Sequence, residues 1–174
     1  MMDDGDKIYI EPEDEEDFEA GSAKATLRVL VFALGAETYC ADVRQAKEAI
    51  RMPEMTRVPN VPSFVLGVTN FRGEILSILD LRYFFGVEQK GKAKDVRIIV
   101  TDVSGEKVGL MLDRIKGALE IEEEKIQGTL PTLRGQLADY TRGQIPMGDD
   151  ILIFLDLAKI LNGEEIRNLR KGNE

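Results

Sequence analysis

Few side chains of this 174-residue chain could carry out catalysis. The sequence contains no histidine, which excludes imidazole acid–base catalysis, Ser-His-Asp triads and imidazole metal ligands. Its single cysteine, Cys40, cannot by itself form an internal disulfide or a thiolate zinc site. Cys40 lies within an apolar run, which predicts a buried, unreactive thiol. We therefore expect no enzymatic activity, no catalytic residues, no bound metal and no cofactor.

Two aspartates at matching positions are the remaining candidates for a catalytic carboxylate pair. Asp80 and Asp156 each precede a short apolar segment that ends near a glycine, which is typical of a helix N-cap. We predict that both are structural caps. A second acidic group, formed by Asp139, Asp149 and Asp150, lacks the alternating spacing of a calcium loop and indicates an ordinary acidic turn.

The elements around these residues are predicted to be mainly short β-strands. Residues 27–34 are apolar and β-branched, residues 35–37 resemble a hairpin turn, and residues 38–43 resemble the returning strand. The same pattern recurs over residues 96–112. Five strands in each half would suit two small barrels, because closure removes exposed sheet edges.

An internal repeat supports this two-part organisation. A shift of 69 residues places residues 37–50 on residues 106–119, and a shift of 76 places Gly67 on Gly143. The change of shift is what an insertion in a connecting loop would produce. We predict one barrel at about 27–88 and another at about 95–158, and we leave open an exchange of strands between them.

The segments outside the two barrels have distinct compositions. Residues 1–24 carry ten acids and two bases, which accounts for most of the net charge of −9. With few apolar residues, the segment 1–26 is expected to be disordered, either as a solubilising tail or as an arm that tunes partner binding. The polar stretch 88–95 is predicted to be a linker and exchange point. Residues 161–174 are predicted to be a C-terminal helix and tail.

The location of the protein and two classes of partner are constrained by the same composition. The acidic start is the reverse of a signal peptide, and no apolar run approaches the ~20 residues of a membrane helix. We therefore expect a cytoplasmic protein without direct membrane insertion. No stripe of Lys and Arg is interleaved with aromatic residues, so nucleic acid is not an expected partner.

One segment carries a specific signature. Residues 58–82 have the sequence VPNVPSFVLGVTNFRGEILSILDLR, which strongly resembles the V-P-N-x-P-x-x-x-G-V-x-N-L-R-G-x-I-x-P-I-x-D-L-R pattern of the CheW family. Residues 39–50, 108–115, 140–143 and 151–161 also resemble segments of that family. The resemblance covers about residues 27–166, with the CheW-like domain itself expected over 27–161.

The resemblance implies a mostly β fold of two SH3-like five-stranded β-barrels, with short helices and a C-terminal helix. It also implies a stand-alone, non-catalytic adapter that couples chemoreceptors to a CheA-type histidine kinase in a bacterial chemosensory array. The implied partners are the regulatory domain of that kinase and the cytoplasmic tip of methyl-accepting chemoreceptors. Such a protein would be cytoplasmic and recruited to membrane-associated arrays.

The family's partner-binding region maps onto specific residues of this chain. By this resemblance the candidate positions are Arg72, Glu48, Ala46, Gly67, Asn70, Phe71 and Gly143. Arg72 could bind a partner, lock the groove between the barrels, or do both. Glu48 could be part of the same surface or simply solvated, and Ala46 is smaller than the aliphatic residue usual in the family. Gly67 and Gly143 are most simply glycines that the backbone requires.

Two alternatives to the flagellar adapter remain open at this point. One is a coupling protein of a chemosensory system that controls pili, gliding or development. The other is a twin-barrel binding module with a different partner, which would need a basic face or an aromatic platform for nucleic acid. The signature indicates the type of partner and leaves the output of the pathway undetermined.

Overall fold

The computed structural model describes residues 24–87, 95–103, 105–128 and 136–171. The strands of these residues are β1 Thr26–Leu34, β2 Glu37–Asp42, β3 Ala46–Arg51, β4 Val65–Phe71, β5 Glu74–Asp80, β6 Arg97–Val103, β7 Glu106–Leu112, β8 Arg114–Glu122, β9 Thr141–Met147 and β10 Asp150–Leu155. The α-helices are α1 Leu81–Phe84, α2 Gln136–Tyr140, α3 Leu157–Leu161 and α4 Glu164–Lys171, and a short 3₁₀ helix covers Glu123–Lys125. The predicted mostly β fold is confirmed.

The described strands form two five-stranded sheets. The first sheet has the order β8-β1-β2-β10-β9 and the second has the order β3-β6-β7-β5-β4. The second sheet is therefore built from one continuous stretch, residues 46–112, whereas the first combines residues 26–42 with residues 114–155. Within each sheet one central pair of strands is parallel and the other pairs are antiparallel.

Each sheet contains strands from both sides of residues 88–95, which is the exchange of strands that the sequence leaves open. The chain crosses between the sheets at residues 43–45 and again at Asp113. Residues 88–94 lie between α1, which follows β5, and β6, and both of these strands belong to the second sheet. The physical reason for the exchange is that the hairpins β1–β2 and β6–β7 each pair with strands of the other half. Each barrel is thus completed by the opposite half of the repeat.

The strand registers reproduce the internal repeat. In the first sheet, Tyr39 of β2 lies opposite Ile153 of β10, and in the second sheet, Val108 of β7 lies opposite Ser77 of β5. Tyr39 and Val108 are related by the shift of 69, and Ser77 and Ile153 by the shift of 76. The two sheets are therefore equivalent strand by strand.

The described apolar side chains form three clusters. One cluster lies within the first sheet and includes Val29, Ile145 and Phe154, and another lies within the second sheet. The largest cluster contains residues of both sheets, such as Phe32 and Leu110, together with residues of the helices. This shared core joins the two barrels into one body, because separating them would expose it to water.

Both crossings between the sheets are fixed by polar contacts to a helix N-terminus. Gln45 donates from Nε2 to Asp156 Oδ1 at 3.0 Å and accepts from Leu157 N at 2.9 Å, next to α3. Asp113 accepts from Arg82 Nη1 of α1 at 3.1 Å and from Gly35 N at 2.6 Å. The chain therefore passes between the sheets at two points that are held by side chains.

Several predicted segments fall wholly or partly outside the described residues. Most of the acidic segment, residues 1–23, most of the predicted linker, residues 88–94, and the last residues, 172–174, lie there. The end of the acidic segment takes part in the fold, because Lys24 pairs with Glu122 and Glu124 and β1 begins at Thr26. Within the predicted C-terminal helix, α4 covers Glu164–Lys171.

Candidate functional site

The turn between β4 and β5 displays an arginine in an unusual backbone conformation. Its two central residues are Arg72 and Gly73, and the Asn70 Oδ1 atom accepts a hydrogen bond from Gly73 N at 3.0 Å. Arg72 has a φ of 52°, in the left-handed region. That conformation costs an L-residue other than glycine roughly 1–2 kcal/mol. The equivalent turn of the first sheet has Gly148 at this place, with a φ of 61°.

The Arg72 side chain is oriented by two neighbours but stays accessible. Its Nη2 atom lies 2.7 Å from Glu48 Oε1, and its guanidinium carbon lies 4.8 Å from the centre of the Phe71 ring. The Arg72 side chain is 69% exposed and that of Glu48 33%. An ion pair with this exposure contributes about 0–1 kcal/mol to stability. The contacts therefore hold the guanidinium in place without burying it.

The remaining sequence-predicted residues divide into two groups. Asn70 and Phe71 lie in the same hairpin as Arg72, and Glu48 of β3 completes this group through its ion pair. Ala46 belongs to β3 but is buried in the core shared by both sheets. The structure therefore brings Arg72, Glu48, Asn70 and Phe71 together, and places Ala46 beneath the surface.

Gly67 and Gly143 occupy equivalent positions in β4 and β9, one in each sheet. A Cβ atom on Gly67 would lie 2.7 Å from the carbonyl oxygen of Thr56. A Cβ atom on Gly143 would be still closer to the carbonyl oxygen of Gln127. Both glycines are therefore required by the close approach of a neighbouring chain segment, and Gly143 does not belong to the Arg72 group.

A groove next to this group was not predicted from the sequence. It has a volume of about 500 Å³, and its lining includes Met55, Val68, Asn70 and Ile75. Ile75 has 78% of its surface exposed, the largest value among the exposed large hydrophobic residues of the described part of the chain. The alternation of β5, in which Ile75 precedes the buried Leu76, is the signal that could have indicated it.

The two candidate carboxylates act as helix caps in the structure. Asp80 is the N-cap of α1 and accepts from Arg82 N, and Asp156 is the N-cap of α3 and accepts from the backbone of Ala158 and Lys159. Among the described residues, no group of three or more His, Cys, Asp or Glu side chains could hold a metal ion. No described helix is long and apolar enough to span a membrane.

Cys40 is fully buried in the first sheet, and burial raises the pKa of its thiol to about 12. At pH 8 we expect a thiol-specific reagent to label the folded protein about a thousandfold more slowly than a free cysteine, because the reactive thiolate is scarce. The measurement is the absorbance change with Ellman's reagent, and the same protein in urea is the control. Complete labelling of the folded protein within minutes would contradict the buried position.

Fold and site together define a class of protein. Two equivalent five-stranded sheets share one core, and the candidate site is an accessible side-chain group on a turn, which suits binding to another macromolecule. The sequence model of the CheW-like domain matches residues 28–165, and the chain belongs to that family.

Individual relatives agree with this assignment. Chemotaxis protein CheW of Klebsiella aerogenes is 33% identical over 138 residues, which cover 79% of this chain and 82% of that protein. Protein PilI of Pseudomonas aeruginosa is 28% identical over 123 residues, covering 71% and 69% respectively. The crystal structure of scaffolding protein TtCheW from Thermoanaerobacter tengcongensis matches with a TM-score of 0.73 and 28% identity, over 81% of this chain and 96% of that one.

Proposed function

We propose that this protein is a non-catalytic adapter that couples chemoreceptors to a CheA-type histidine kinase in a chemosensory array. The observation that carries the proposal is Arg72, which the turn holds in a costly backbone conformation on a CheW-like fold. Glycine would adopt this conformation at lower cost, so a role for the Arg72 side chain would offset the difference. Its planar guanidinium can donate paired hydrogen bonds to carboxylates or carbonyls of a partner.

The partner surface is proposed to extend from Arg72 onto the exposed part of the second sheet. Phe71 and Glu48 orient the guanidinium, and the exposed Ile75 offers apolar area three residues farther along the hairpin. Ile151, at the equivalent place in the first sheet, is also exposed, to 47%. Two equivalent apolar positions fit a partner that is itself built from two such barrels. The resemblance to the CheW family implies that the regulatory domain of the kinase has this construction.

The location follows from the same proposal. An adapter of this kind would be cytoplasmic and would reach the membrane only through the receptors that it binds. Its effect would consist of a coupling free energy between two binding sites, without a chemical step. No cofactor, metal or nucleic acid enters this mechanism.

Replacing Arg72 by glycine tests the proposal because it should separate binding from stability. We expect the dissociation constant for the kinase regulatory domain, for the receptor tip, or for both to rise at least about tenfold, which corresponds to about 1.4 kcal/mol. The free energy of unfolding should stay constant or rise by about 1 kcal/mol, because glycine relieves the left-handed backbone. Calorimetric titration and urea denaturation measure the two quantities.

Arg114→Ala is the matched control, since Arg114 is an exposed arginine on β8 of the other sheet. It should leave both affinities within about twofold, a change of less than 0.5 kcal/mol. If Arg72→Gly binds the regulatory domain and the receptor tip as tightly as the unchanged protein, Arg72 has no role in coupling. If the unchanged protein binds neither, the CheW fold of this chain serves another partner.

The similarity to PilI supports a second candidate, an adapter in a chemosensory system with a non-flagellar output. The two candidates share the binding surface and differ in the process that the kinase controls. Deletion of the gene distinguishes them, because loss of swimming chemotaxis would support the first candidate. Loss of surface motility, gliding or development with intact swimming would support the second.

A further inference from the structure

Two exposed arginines lie near one buried carboxylate at the first crossing between the sheets. Asp42 is the last residue of β2, and its side chain is only 6% exposed, whereas that of Arg44 is 74% exposed. Arg44 donates from Nε to both carboxylate oxygens of Asp42, at 3.1 and 3.0 Å, and from Nη2 to Oδ2 at 2.6 Å. The Arg44 guanidinium is therefore fixed along one edge, and its Nη1 atom bonds to none of the described residues.

Arg142, the second arginine, is oriented by an aromatic ring. It is the extra residue of a bulge in β9, because Phe154 of β10 pairs with Gly143 and Leu155 pairs with Thr141. Its guanidinium carbon lies 5.0 Å from the centre of the ring of the fully buried Phe154. The residue is exposed, and its guanidinium forms no hydrogen bond within the described part of the chain. Its N–H donors are thus held in place without being used.

The two guanidiniums act on the same carboxylate. Burial alone would raise the pKa of Asp42, but hydrogen bonds from Arg44 and the positive charges of Arg44 and Arg142 outweigh it and lower the pKa. The exposed Glu123 attracts Arg44 through its charge, but no ion pair joins the two in the described structure. One buried carboxylate therefore has two cations beside it, and both cations keep donors for a further acceptor.

The internal repeat shows that the barrel does not require an arginine at position 142. The shift of 76 places Arg142 on Leu66, and the shift of 69 places Arg44 on Asp113. Leu66 is likewise the extra residue of a bulge, in β4, and it packs against the apolar cluster of the second sheet. The same backbone is therefore built with an aliphatic side chain, and Arg142 adds donors that the fold does not use.

Carboxylate side chains are the acceptors that this pair of arginines suits. A guanidinium presents parallel N–H donors that match the two oxygens of a carboxylate. Side chains that are already oriented lose less conformational entropy when a partner binds, so the contacts with Asp42 and Phe154 favour binding. Two adjacent positive charges also attract an acidic surface and repel a basic one.

We propose that Arg44 and Arg142 form a second interaction surface, which binds carboxylate side chains of an acidic segment of a protein partner. This surface lies beside the first sheet, whereas the Arg72 group lies on the second sheet. An adapter that joins two proteins needs two separate surfaces, so the proposal extends the proposed function. Binding of an acidic segment does not itself depend on that function.

Titration of the full-length protein with a hexaglutamate peptide tests the surface. We expect the backbone amide NMR signals of residues 42–45 and 141–143 to shift saturably, and hexaglutamine to leave them unchanged. Arg142→Gln should raise the dissociation constant of the peptide at least about tenfold. Arg142→Lys, which keeps the charge but loses the paired donors, should raise it at least about threefold. Urea denaturation checks that both variants fold, which is expected because Arg142 hydrogen-bonds to no described residue.

Arg114→Gln is the matched control, since it removes an exposed arginine of β8 in the same sheet, and it should change the dissociation constant by less than about twofold. A folded Arg142→Gln variant that binds the peptide as tightly as the unchanged protein would overturn the proposal. Equal weakening by Arg114→Gln would also overturn it, because the peptide would then respond to overall charge. Tighter binding of inorganic phosphate than of the peptide would overturn the assignment to carboxylates. The titration uses neither the kinase nor the receptor, so its failure is distinguishable from failure of the proposed function.

Discussion

Replacing Arg82 by methionine is expected to lower the free energy of unfolding by about 3–5 kcal/mol. The Arg82 side chain is only 7% exposed, with its Nε atom 3.0 Å from Asp80 Oδ1 and its Nη1 atom 3.1 Å from Asp113 Oδ1. Burial alone would lower the pKa of Arg82, but the hydrogen bonds and charges of the two aspartates outweigh it and raise the pKa. Methionine would leave two carboxylates, each 19% exposed, without their cation.

Urea denaturation followed by circular dichroism measures this loss. Arg114→Met is the control, because it removes an exposed arginine of β8 and should change the free energy of unfolding by less than about 0.5 kcal/mol. The triple variant Arg82→Met, Asp80→Asn and Asp113→Asn should recover part of the loss, since it removes the uncompensated charges. A loss below about 1 kcal/mol for Arg82→Met would show that water solvates both carboxylates in the folded protein.

Gly143→Val is the second substitution with a large expected effect, a loss of about 3–5 kcal/mol of folding free energy. Its Cβ atom would collide with the carbonyl oxygen of Gln127 and lie 2.8 Å from Ile126 Cγ2. Overpacking typically costs about 1–3 kcal/mol. Moving Gln127 away would also break its two backbone hydrogen bonds with Gln144, of 2.8 and 3.0 Å, each worth about 0.5–1.5 kcal/mol.

Gly128 offers a control in the same segment. A Cβ atom there meets nothing within 4 Å, so Gly128→Ala should change the free energy of unfolding by less than about 0.5 kcal/mol. Gly67→Val should be nearly as damaging as Gly143→Val, because Gly67 faces Thr56 in the equivalent way. Thermal and urea unfolding curves that match those of the unchanged protein for Gly143→Val would mean that residues 126–127 can separate from β9 at no cost.

The sequence predicts the strands and their equivalence well because both follow from local patterns. The shift of 69 aligns Tyr39 with Val108, and the shift of 76 aligns Ser77 with Ile153. In the structure Tyr39 pairs with Ile153 and Val108 pairs with Ser77, each across a pair of parallel strands. Local patterns do not specify which half of the repeat each hairpin pairs with. Since equivalent halves have equivalent apolar patterns, β1–β2 would suit either half, and only the three-dimensional packing decides between them.

The candidate site shows a similar limit. The turn at Arg72 and Gly73 is readable from the sequence, but the ion pair with Glu48 joins strands from opposite edges of one sheet and depends on how the sheet closes. A charged residue in a helix is usually expected to be solvated, so the buried position of Arg82 was not predicted. Ala46 was assigned to the surface by resemblance, whereas the structure buries it.

The order of strands along the chain has a consequence for protein synthesis. Residues 46–112 contain every strand of the second sheet, so this barrel can form as soon as its last strand leaves the ribosome. The hairpin β1–β2 is made first, but its pairing partners β8 and β10 begin only at Arg114 and Asp150, about 70 and about 110 residues after β2 ends. At the usual 5–20 residues per second, the nascent hairpin waits about 4–14 seconds for β8 and longer for β10. The barrel that is translated first is thus the last to be completed, and a chaperone at the exit tunnel would meet β1–β2 before any other part of the fold.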